Sequence, residues 1–251
     1  MIILKSKEEI DKIARASQVV AEVLQELRNL AKAGVTTEEL DQAAERMIRN
    51  RKAIPAFKGY RNFPATLCVS VNEQVVHGIP SPKRVLKNGD IVGLDLGAIC
   101  DGYYGDSAIT VSVGEVPDPV RRLIEVTRES LERGIAQVRE GGRLSDISHA
   151  VQSHVEEAGF SVVRDFVGHG IGRSLHEEPQ IPNFGEPGRG PRLKTGMVLA
   201  IEPMVNMGGP EVKVLKDGWT AVTEDGSWSA HFEHTVAVSK DGPVVLSRQA
   251  T

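Results

Sequence analysis

The sequence predicts a mixed α/β (α+β) fold in which one domain, residues 1–251, is made of two pseudo-symmetric halves of about 1–115 and 117–251. Three observations lead to this prediction. Each half begins with two helical patterns, strand-like segments follow the helices, and two short strings of residues occur in the same order in both halves.

The first half opens with two helices, each introduced by a capping box in which a hydroxyl residue precedes a glutamate by three positions: Ser6 with Glu9, and Thr36 with Glu39. The first helix is predicted to start at Lys7, and Gly34 suits its C-terminal end. The second is predicted to end near residue 52. An irregular stretch follows, and residues 67–71 are then predicted to form a strand.

The second half starts after a break in the pattern at Val116-Pro117-Asp118-Pro119. We expect a helix from Pro119 to about Arg139 with Asp118 as its N-cap, because proline suits the first helical position. A further helix is expected from Ser145 to Gly159. Strands are predicted at 160–167 and 229–238, where β-branched and aliphatic residues are concentrated.

Between these helices, residues 90–106 predict a hairpin of two short strands joined by a tight Asp-Gly turn. Asp95 and Asp106 lie on opposite arms, and pairing symmetric about Cys100-Asp101 would bring their Cβ atoms to about 5 Å. Two carboxylates at that distance repel each other, and a bound cation would remove the repulsion. The alternative is a surface hairpin whose aspartates face water.

The repeated strings relate residues of the two halves. His77-Gly78-Ile79 recurs as His169-Gly170-Ile171. Leu86-Lys87-Asn88-Gly89 recurs as Leu193-Lys194-Thr195-Gly196, and a carboxylate follows each glycine by six positions: Asp95 and Glu202. If an ancient duplication produced these matches, a pseudo-twofold axis would make carboxylates of both halves converge. Chance matching of short strings is the alternative.

The composition is that of an ordinary globular protein, with 251 residues of which 40% are apolar and 25% charged. The formal net charge of −4 gives no broad basic surface, which argues against DNA as a partner. Cys68 and Cys100 do not have the spacing of a metal site or of a disulfide framework. Since no apolar run of about 18 residues occurs, we expect no membrane span and a cytoplasmic location.

Glu233 lies within a predicted strand and therefore needs either a solvent-facing position or a partner. Together with Asp95, Asp106 and Glu202 it would form an oxygen-rich site, which favours Mn, Fe, Co or hard cations over a thiolate-type zinc site. Two ions about 3.5–4 Å apart, bridged by carboxylates, would balance four negative charges. The segment 176–180 begins like a zincin helix but has no second histidine and contains proline.

These residues resemble the methionine aminopeptidase family, in its bacterial type I form. The matching motifs cover nearly the whole chain: Asp95 and Asp106, Gly-His-Gly-Ile at 168–171, Ile-Glu-Pro at 201–203, Glu-His-Thr at 233–235, Phe63-Pro64, Val71-Asn72, and His77-Gly78-Ile79-Pro80. The resemblance implies a pita-bread fold with a central curved antiparallel sheet. It also implies removal of the initiator methionine from nascent polypeptides whose second residue is small.

The resemblance further implies a role for each site residue. Asp95 and Asp106 would hold one divalent metal ion, while Asp106, His169 and Glu202 would hold the other, with Glu233 bridging. Glu202 would also act as general base toward the bridging water. Two histidines would act on the substrate: His77 near its N-terminal end, and His176 on the scissile amide. The ions would be Co, Mn or Fe, and Zn is admitted. Loop residues without catalytic function are the alternative for both histidines.

Five residues match the methionine pocket of the family: Tyr60, Phe63, Cys68, Leu175 and Trp219. Leu175 and Phe63 stand where related enzymes often have other aromatic residues, and ordinary core packing is the alternative for all five. Three more residues resemble a monovalent cation site: Asn72, Gln74 and Ser229.

Other readings of the family resemblance remain open. Prolidase and aminopeptidase P are proline-specific relatives, which usually carry an extra N-terminal domain. A binding protein on the same fold without metal is the non-enzyme alternative. We expect a monomer that acts on nascent N-termini. The arginines of 188–192 are candidates for a transient ribosome contact, although a solvated loop is the safer interpretation.

Overall fold

The structure is a computed structural model, and it describes residues 1–248. The helices are α1 (Lys7–Leu30), α2 (Thr37–Asn50), α3 (Asp118–Ala136) and α4 (Leu144–Glu157). The strands of the first half are β1 (Ile54–Pro55), β2 (Leu67–Val71), β3 (Gln74–Val76), β4 (Ile91–Cys100) and β5 (Tyr103–Ser112). Those of the second half are β6 (Ser161–Val162), β7 (Gly168–Gly170), β8 (Glu177–Ile181), β9 (Val198–Ile201), β10 (Met204–Asn206), β11 (Val212–Val214), β12 (Ala221–Thr223), β13 (Ser229–His231), β14 (Glu233–Ser239) and β15 (Gly242–Val245).

The capping boxes predicted for α1 and α2 are present. The Ser6 hydroxyl accepts the Glu9 N–H at 3.3 Å, and the Glu9 carboxylate accepts the Ser6 N–H at 2.9 Å. Thr36 and Glu39 form the same reciprocal pair at the start of α2. Each box satisfies N–H groups that have no partner within the helix, and this explains why both helices start where the sequence predicts.

The helices of the second half begin differently from the prediction. Asp118 is already inside α3, and Pro117 is the N-cap, so that the assignment of Asp118 as cap was wrong. In α4 the cap position is Arg143, whose backbone N–H donates to the Asp146 carboxylate at 2.9 Å. Carboxylates favour a helix N-terminus wherever they reach the free N–H groups, so the capping side chain need not precede the helix.

The main sheet has nine strands and mixes the two halves: its path runs β1-β4-β5-β14-β9-β7-β8, with β2 on β4 and β15 on β14. Helix α1 packs across β4 and β5. It lies so close that a Cβ at Gly105 would overlap the backbone of Ser17, which only glycine avoids. The apolar core fills the space between the helices and one face of this sheet.

The central hairpin is present, but its predicted register was wrong. Asp95 is paired with Ala108, and Asp106 is paired with Gly97, so the two aspartates are diagonal neighbours and not directly opposite. The two turn residues are Asp101 and Gly102, both with positive φ, which moves the centre of pairing by one position. Such a two-residue turn fits the right-handed twist of the strands. The aspartates still share a face, because a shift of two positions preserves it.

Two strand predictions of the second half were also partly wrong. Only Ser161–Val162 of the segment 160–167 pairs as a strand. The segment 229–238 is divided at Phe232, where β13 pairs with β10 in a small sheet and β14 pairs with β9 in the main sheet. Glu233 is therefore the first residue of β14, and it does not lie in the middle of one continuous strand 229–238. In the part of the chain that the structure describes, no helix is long and apolar enough to cross a membrane.

Candidate metal centre and substrate pocket

Two adjacent rows of paired residues on one face of the main sheet form the floor of a pocket of about 150 Å³. In the first row, Cys68 pairs with Asp95, Asp95 with Ala108, and Ala108 with Glu233. Glu202 follows β9 directly and continues this row one position beyond the pair of His234 with Ile201. Directly paired residues of antiparallel strands point to the same face, so these carboxylates converge.

The second row lies one step along the same face. It contains Asp106, which pairs with Gly97 on β4, and His169, which pairs with Ala200 on β9. The Thr235 hydroxyl joins β14 to β5 by donating to the Asp106 carbonyl at 2.8 Å and accepting the Asp106 N–H at 3.2 Å. Strand pairing thus fixes the backbone beneath both functional side chains.

One ligand atom each of Asp106, His169 and Glu233 lies within 4.8 Å of the others, and all three residues are buried. His169 Nε2 is 3.4 Å from Glu202 Oε1 and 4.0 Å from Asp106 Oδ2. Nδ1 of the same ring lies 2.9 Å from the Gly170 carbonyl and donates to it, because a carbonyl oxygen only accepts. Burial lowers the His169 pKa to about 3, so that the ring is neutral and Nε2 directs a lone pair at carboxylates.

The carboxylates carry buried oxygens that lack partners. Among residues 1–248, no hydrogen bond reaches Asp95 Oδ1, Asp106 Oδ1 or Glu233 Oε1. Loss of water raises the Asp95 pKa to about 7. Burial, followed by repulsion from neighbouring carboxylates, raises the pKa of Asp106, Glu202 and Glu233 well above the ordinary value. Unpaired oxygens and an unprotonated nitrogen that face one another fit a bound cation, which would compensate all of them.

His77 lies in the wall of the pocket, with its backbone in the left-handed region at φ 59°. The next residue, Gly78, packs against the carbonyl of Val69 so closely that a Cβ there would overlap it. The His77 ring meets Phe166 and Trp219 edge-on, with ring centroids 5.4 and 6.1 Å apart. Burial lowers the His77 pKa to about 4, which makes it neutral at pH 7.

His176 lies at the exposed mouth of the same pocket. Its Nδ1 is 2.7 Å from the Tyr60 hydroxyl, and its ring centroid is 4.3 Å from that of His169. Partial loss of water, and then the positive charge of Arg61, lower its pKa. His176 therefore lies beside the carboxylates, but it does not belong to the group of Asp106, His169 and Glu233, whose ligand atoms lie within 4.8 Å of one another.

The five residues predicted for the methionine pocket all line the pocket together with the carboxylates: Tyr60, Phe63, Cys68, Leu175 and Trp219. Phe63 and Trp219 meet edge to face, with centroids 5.1 Å apart. Burial and the nearby carboxylates raise the pKa of the Cys68 thiol, which keeps it uncharged. Leu175 is 2% exposed and belongs to the same buried apolar cluster as Phe57, Phe63 and Cys68.

The three residues predicted for a monovalent cation lie outside the lining of this pocket. Ser229 and Asn72 are adjacent, since the Ser229 N–H donates to the Asn72 carbonyl at 2.9 Å. The Gln74 side chain accepts the Val71 N–H at 2.8 Å. The Asn72 side chain bonds to Asp90 and Ile91. The monovalent site therefore stays a prediction.

Three residues of the site were missed by the sequence reasoning. Phe57 and Arg61 line the pocket from the irregular stretch before β2, where no periodicity marks them. His231 is 4% exposed, its Nε2 lacks a hydrogen-bond partner within residues 1–248, and that atom is 3.8 Å from Glu202 Oε2. Burial lowers its pKa to about 3. The alternation of His231 with Glu233 along the chain was the signal that could have found it.

A comparison with known families agrees with this geometry. The model of metallopeptidase family M24 matches residues 11–240, and the chain belongs to that family. Its relatives narrow the class. The chain is 54% identical to "Methionine aminopeptidase 1" of Bacillus subtilis over 99% of its own length and 100% of the relative's, and 48% identical to "Methionine aminopeptidase 1" of Mycobacterium tuberculosis over 97% and 94%. Within M24 it therefore groups with the methionine aminopeptidases.

Solved structures confirm the predicted pita-bread fold. The methionine aminopeptidase of Thermotoga maritima has a TM-score of 0.98 at 48% identity and covers 99% of this chain and 100% of its own. The prolidase of Pyrococcus furiosus has a TM-score of 0.81 at 24% identity, with 99% of this chain and 66% of that one covered. The second likeness shows the shared fold alone.

Proposed function

We propose that the chain removes the N-terminal methionine from nascent proteins and peptides whose second residue is small, with two divalent metal ions at its carboxylate floor. The observation that carries the proposal is a cluster of four carboxylates and one neutral imidazole beneath an apolar and aromatic pocket. Its high identity to methionine aminopeptidases over the full chain supports the substrate class.

We assign the metal ligands as Asp95, Asp106, His169, Glu202 and Glu233. Asp95 and Asp106 would hold one ion, Asp106, His169 and Glu202 the other, and Glu233 would bridge. Oxygen donors with one imidazole favour Co, Mn or Fe, and they admit Zn. When bound, such ions polarise a carbonyl and lower the pKa of water toward 7.

Side chains of the protein would accept the proton from water and bind the peptide. Glu202 is the proposed general base, because its carboxylate lies 3.4 Å from His169 Nε2 at the same site, where it can accept a proton from a water molecule beside the ligands. We assign the Tyr60 hydroxyl as the donor to Nδ1 of His176, 2.7 Å away, which leaves the Nε2–H of that ring to donate to the scissile amide. We assign His77 to the region near the substrate's N-terminal end, where its neutral ring borders Trp219.

The wall of the pocket supplies the proposed methionine contacts. A thioether packs well against aromatic edges and a neutral thiol, which Phe63, Trp219 and Cys68 provide. Leu175 adds an aliphatic contact to the same wall and packs in one buried cluster with Phe63 and Cys68. A substrate methionine would therefore lie with its side chain in the apolar wall and its peptide bond above the carboxylates.

Other features are part of the same proposal. We infer one domain of two related halves, since α1-α2 and α3-α4 each precede strands of the shared sheet. We also infer a monomeric enzyme of the cytoplasm that meets nascent chains, with Asn72, Gln74 and Ser229 near a monovalent cation. A transient ribosome contact of Arg189 and Arg192 belongs to the same inference. The Arg192 guanidinium donates to the Gly141 carbonyl at 3.0 Å, and the Arg189 backbone N–H donates to the Ser145 hydroxyl at 2.6 Å.

A peptide assay tests the proposed function. Metal-free protein is given Mn, Co, Fe or Zn and then Met-Ala-Ser or Leu-Ala-Ser. We expect free methionine from the first peptide and much slower release of leucine from the second. An Xaa-Pro dipeptide serves as the probe for the proline-specific alternative. Cleavage of the dipeptide without cleavage of Met-Ala-Ser, or no metal-dependent cleavage at all, would contradict the proposal.

A further inference from the structure

The segment of residues 171–176, called the His176 loop below, joins β7 to β8 and carries both Leu175 and His176. Its backbone is fastened mainly at its start, where the Ile171 N–H donates to Val198 and the Gly172 carbonyl accepts the Tyr104 N–H. His176 itself, at the far end, has no such bond in the described chain. The ring of His176 bonds to the Tyr60 hydroxyl, and its backbone position depends on its two neighbours, the buried Leu175 and the residue that follows, Glu177.

Glu177 forms an ion pair with Lys5 of the N-terminal segment. The two side chains are 9% and 4% exposed. Lys5 is fixed in turn, because its Nζ donates to the Ile3 carbonyl at 3.0 Å and its backbone N–H to the Gly196 carbonyl at 2.7 Å. The other Glu177 oxygen accepts the Ser174 N–H at 3.2 Å. One carboxylate thus connects the N-terminal segment to the inside of the loop.

The Lys5–Glu177 pair packs closely against Gly172 of the His176 loop. A Cβ at Gly172 would overlap Lys5 Cε and lie 2.7 Å from Glu177 Oε1. The pair therefore lies directly against the backbone of the loop, so that replacing Lys5 or Glu177 changes what this backbone packs against. Close packing of this kind transmits small displacements to neighbours without absorbing them.

We propose that Lys5 is a positioning residue for the reaction, which acts through Glu177 to hold His176 where its ring reaches the scissile bond. The inference rests on the role proposed above for His176. A contribution to stability does not explain this ion pair well. A buried ion pair can often be replaced by apolar side chains of similar volume without loss of stability. Positioning of His176 explains the pair better, since a misplacement of about 1 Å at a reacting group can lower the rate about 100-fold.

Three variants separate positioning from stability: Lys5→Met, Glu177→Met and the double variant. The measurements are the free energy of unfolding, Mn affinity by calorimetry, and kcat and KM for Met-Ala-Ser. We expect Lys5→Met to lower kcat about 10–100-fold, while KM and Mn affinity stay within about 2-fold. The double variant buries no charge, so we expect it to regain stability but not kcat. Recovery of kcat together with stability would overturn the proposal.

A second comparison tests whether Lys5 acts through His176. In a His176→Ala background we expect Lys5→Met to leave the remaining kcat unchanged, because the group it positions is gone. An equal loss in both backgrounds would refute this pathway. If His176→Ala alone retains wild-type kcat, the role proposed for His176 fails, and that outcome is distinct from a failure of Lys5.

Arg173→Met is the matched control, since Arg173 belongs to the same loop. Its guanidinium is 69% exposed and lies 3.6 Å from Glu9, so that the contact is largely solvated. We expect kcat within about 2-fold of wild type, as is usual for a surface pair. A loss as large as that of Lys5→Met would mean that any disturbance of the loop reduces activity, and the specific role of Lys5 would be rejected.

Discussion

The floor and the wall of the pocket are built in different ways. The floor residues Asp95, Asp106 and Glu233 lie on paired strands, and their positions follow from register. The wall residues Tyr60, Leu175 and Trp219 lie outside the strands, Tyr60 in a short 3-10 helix (Tyr60–Asn62) and the other two in connecting segments. A floor of that kind cannot shift one residue without shifting a whole strand, whereas the wall can change residue by residue. On the proposed assignments, metal binding and most of the substrate contacts therefore belong to separate parts of the structure, and Cys68 on β2 is the contact they share.

The largest effect is expected from removing the neutral ligand of the floor. His169→Ala should weaken Mn binding by more than the roughly 10–100-fold typical of a residue that only orients a ligand, and turnover should fall with it. Calorimetry on metal-free protein and kinetics at rising Mn measure both quantities. Unchanged Mn affinity in this variant would show that the floor is not the metal site.

His176 belongs to the loop-borne part of the pocket and should respond differently. His176→Ala is expected to lower kcat by about 10²–10³, the usual loss when one donor to developing charge is removed. Metal content should stay near that of the wild type, and KM should change less than kcat because the contact strengthens mainly in the transition state. If this variant loses metal while His169→Ala keeps it, the two assignments are reversed.

The choice of substrate sharpens the comparison without any mutation. We expect Met-Ala and Met-Gly peptides to be cleaved, and Met-Leu and Met-Lys peptides to be about 10–200-fold slower, the range for small differences in apolar fit. The values of kcat/KM for the four peptides measure this difference. Equal rates for Met-Ala and Met-Lys would mean that the protein does not restrict the second residue of its substrate.

The smallest expected effect is the pH dependence of metal affinity. The Asp95 pKa of about 7 means that metal-free protein holds this proton at pH 6 and has lost it at pH 8. Metal binding must release the proton at pH 6, so Mn affinity should fall on acidification by up to about tenfold per pH unit for each proton released. His169 adds nothing, because it is neutral throughout this range.

Calorimetry in buffers of different ionisation enthalpy counts the released protons at pH 6 and pH 8. The matched variant Asp95→Asn has no proton to release at that position, and we expect its count to differ less between the two pH values. A wild-type count that is the same at both pH values would contradict the raised pKa of Asp95.

The residues of the floor could be found from sequence, but their arrangement could not. Asp95 was visible from the hairpin that it shares with Asp106, and Glu202 from the repeated string of the two halves. Glu233 was visible because a charged residue within a predicted strand needs a partner. The register of the hairpin depended on which two residues form the turn, and Asp101 with Gly102 differs from the predicted centre by one position. Similarly, no local pattern marks Phe232 as the residue where the chain leaves one sheet for another.

The wall was predicted only through its resemblance to a family, and the reason is physical. Phe57, Arg61 and Leu175 come together from segments without helical or strand periodicity, so that tertiary packing alone decides which side chains face the pocket. The Phe57 ring can pack against β4 because Gly97 has no side chain. A Cβ at Gly97 would lie 2.6 Å from the Phe57 ring. A single sequence does not show that a large side chain packs against a glycine that is distant in the chain.

The division of the segment at Phe232 has a consequence for how the chain folds. Glu233 reaches the floor only after β14 has inserted between β5 and β9, so that the carboxylates meet only once contacts spanning residues 95 to 233 have formed. Contacts between such distant residues form late, because long loops must close first. Metal ions should then slow unfolding of the finished protein and leave its refolding rate nearly unchanged.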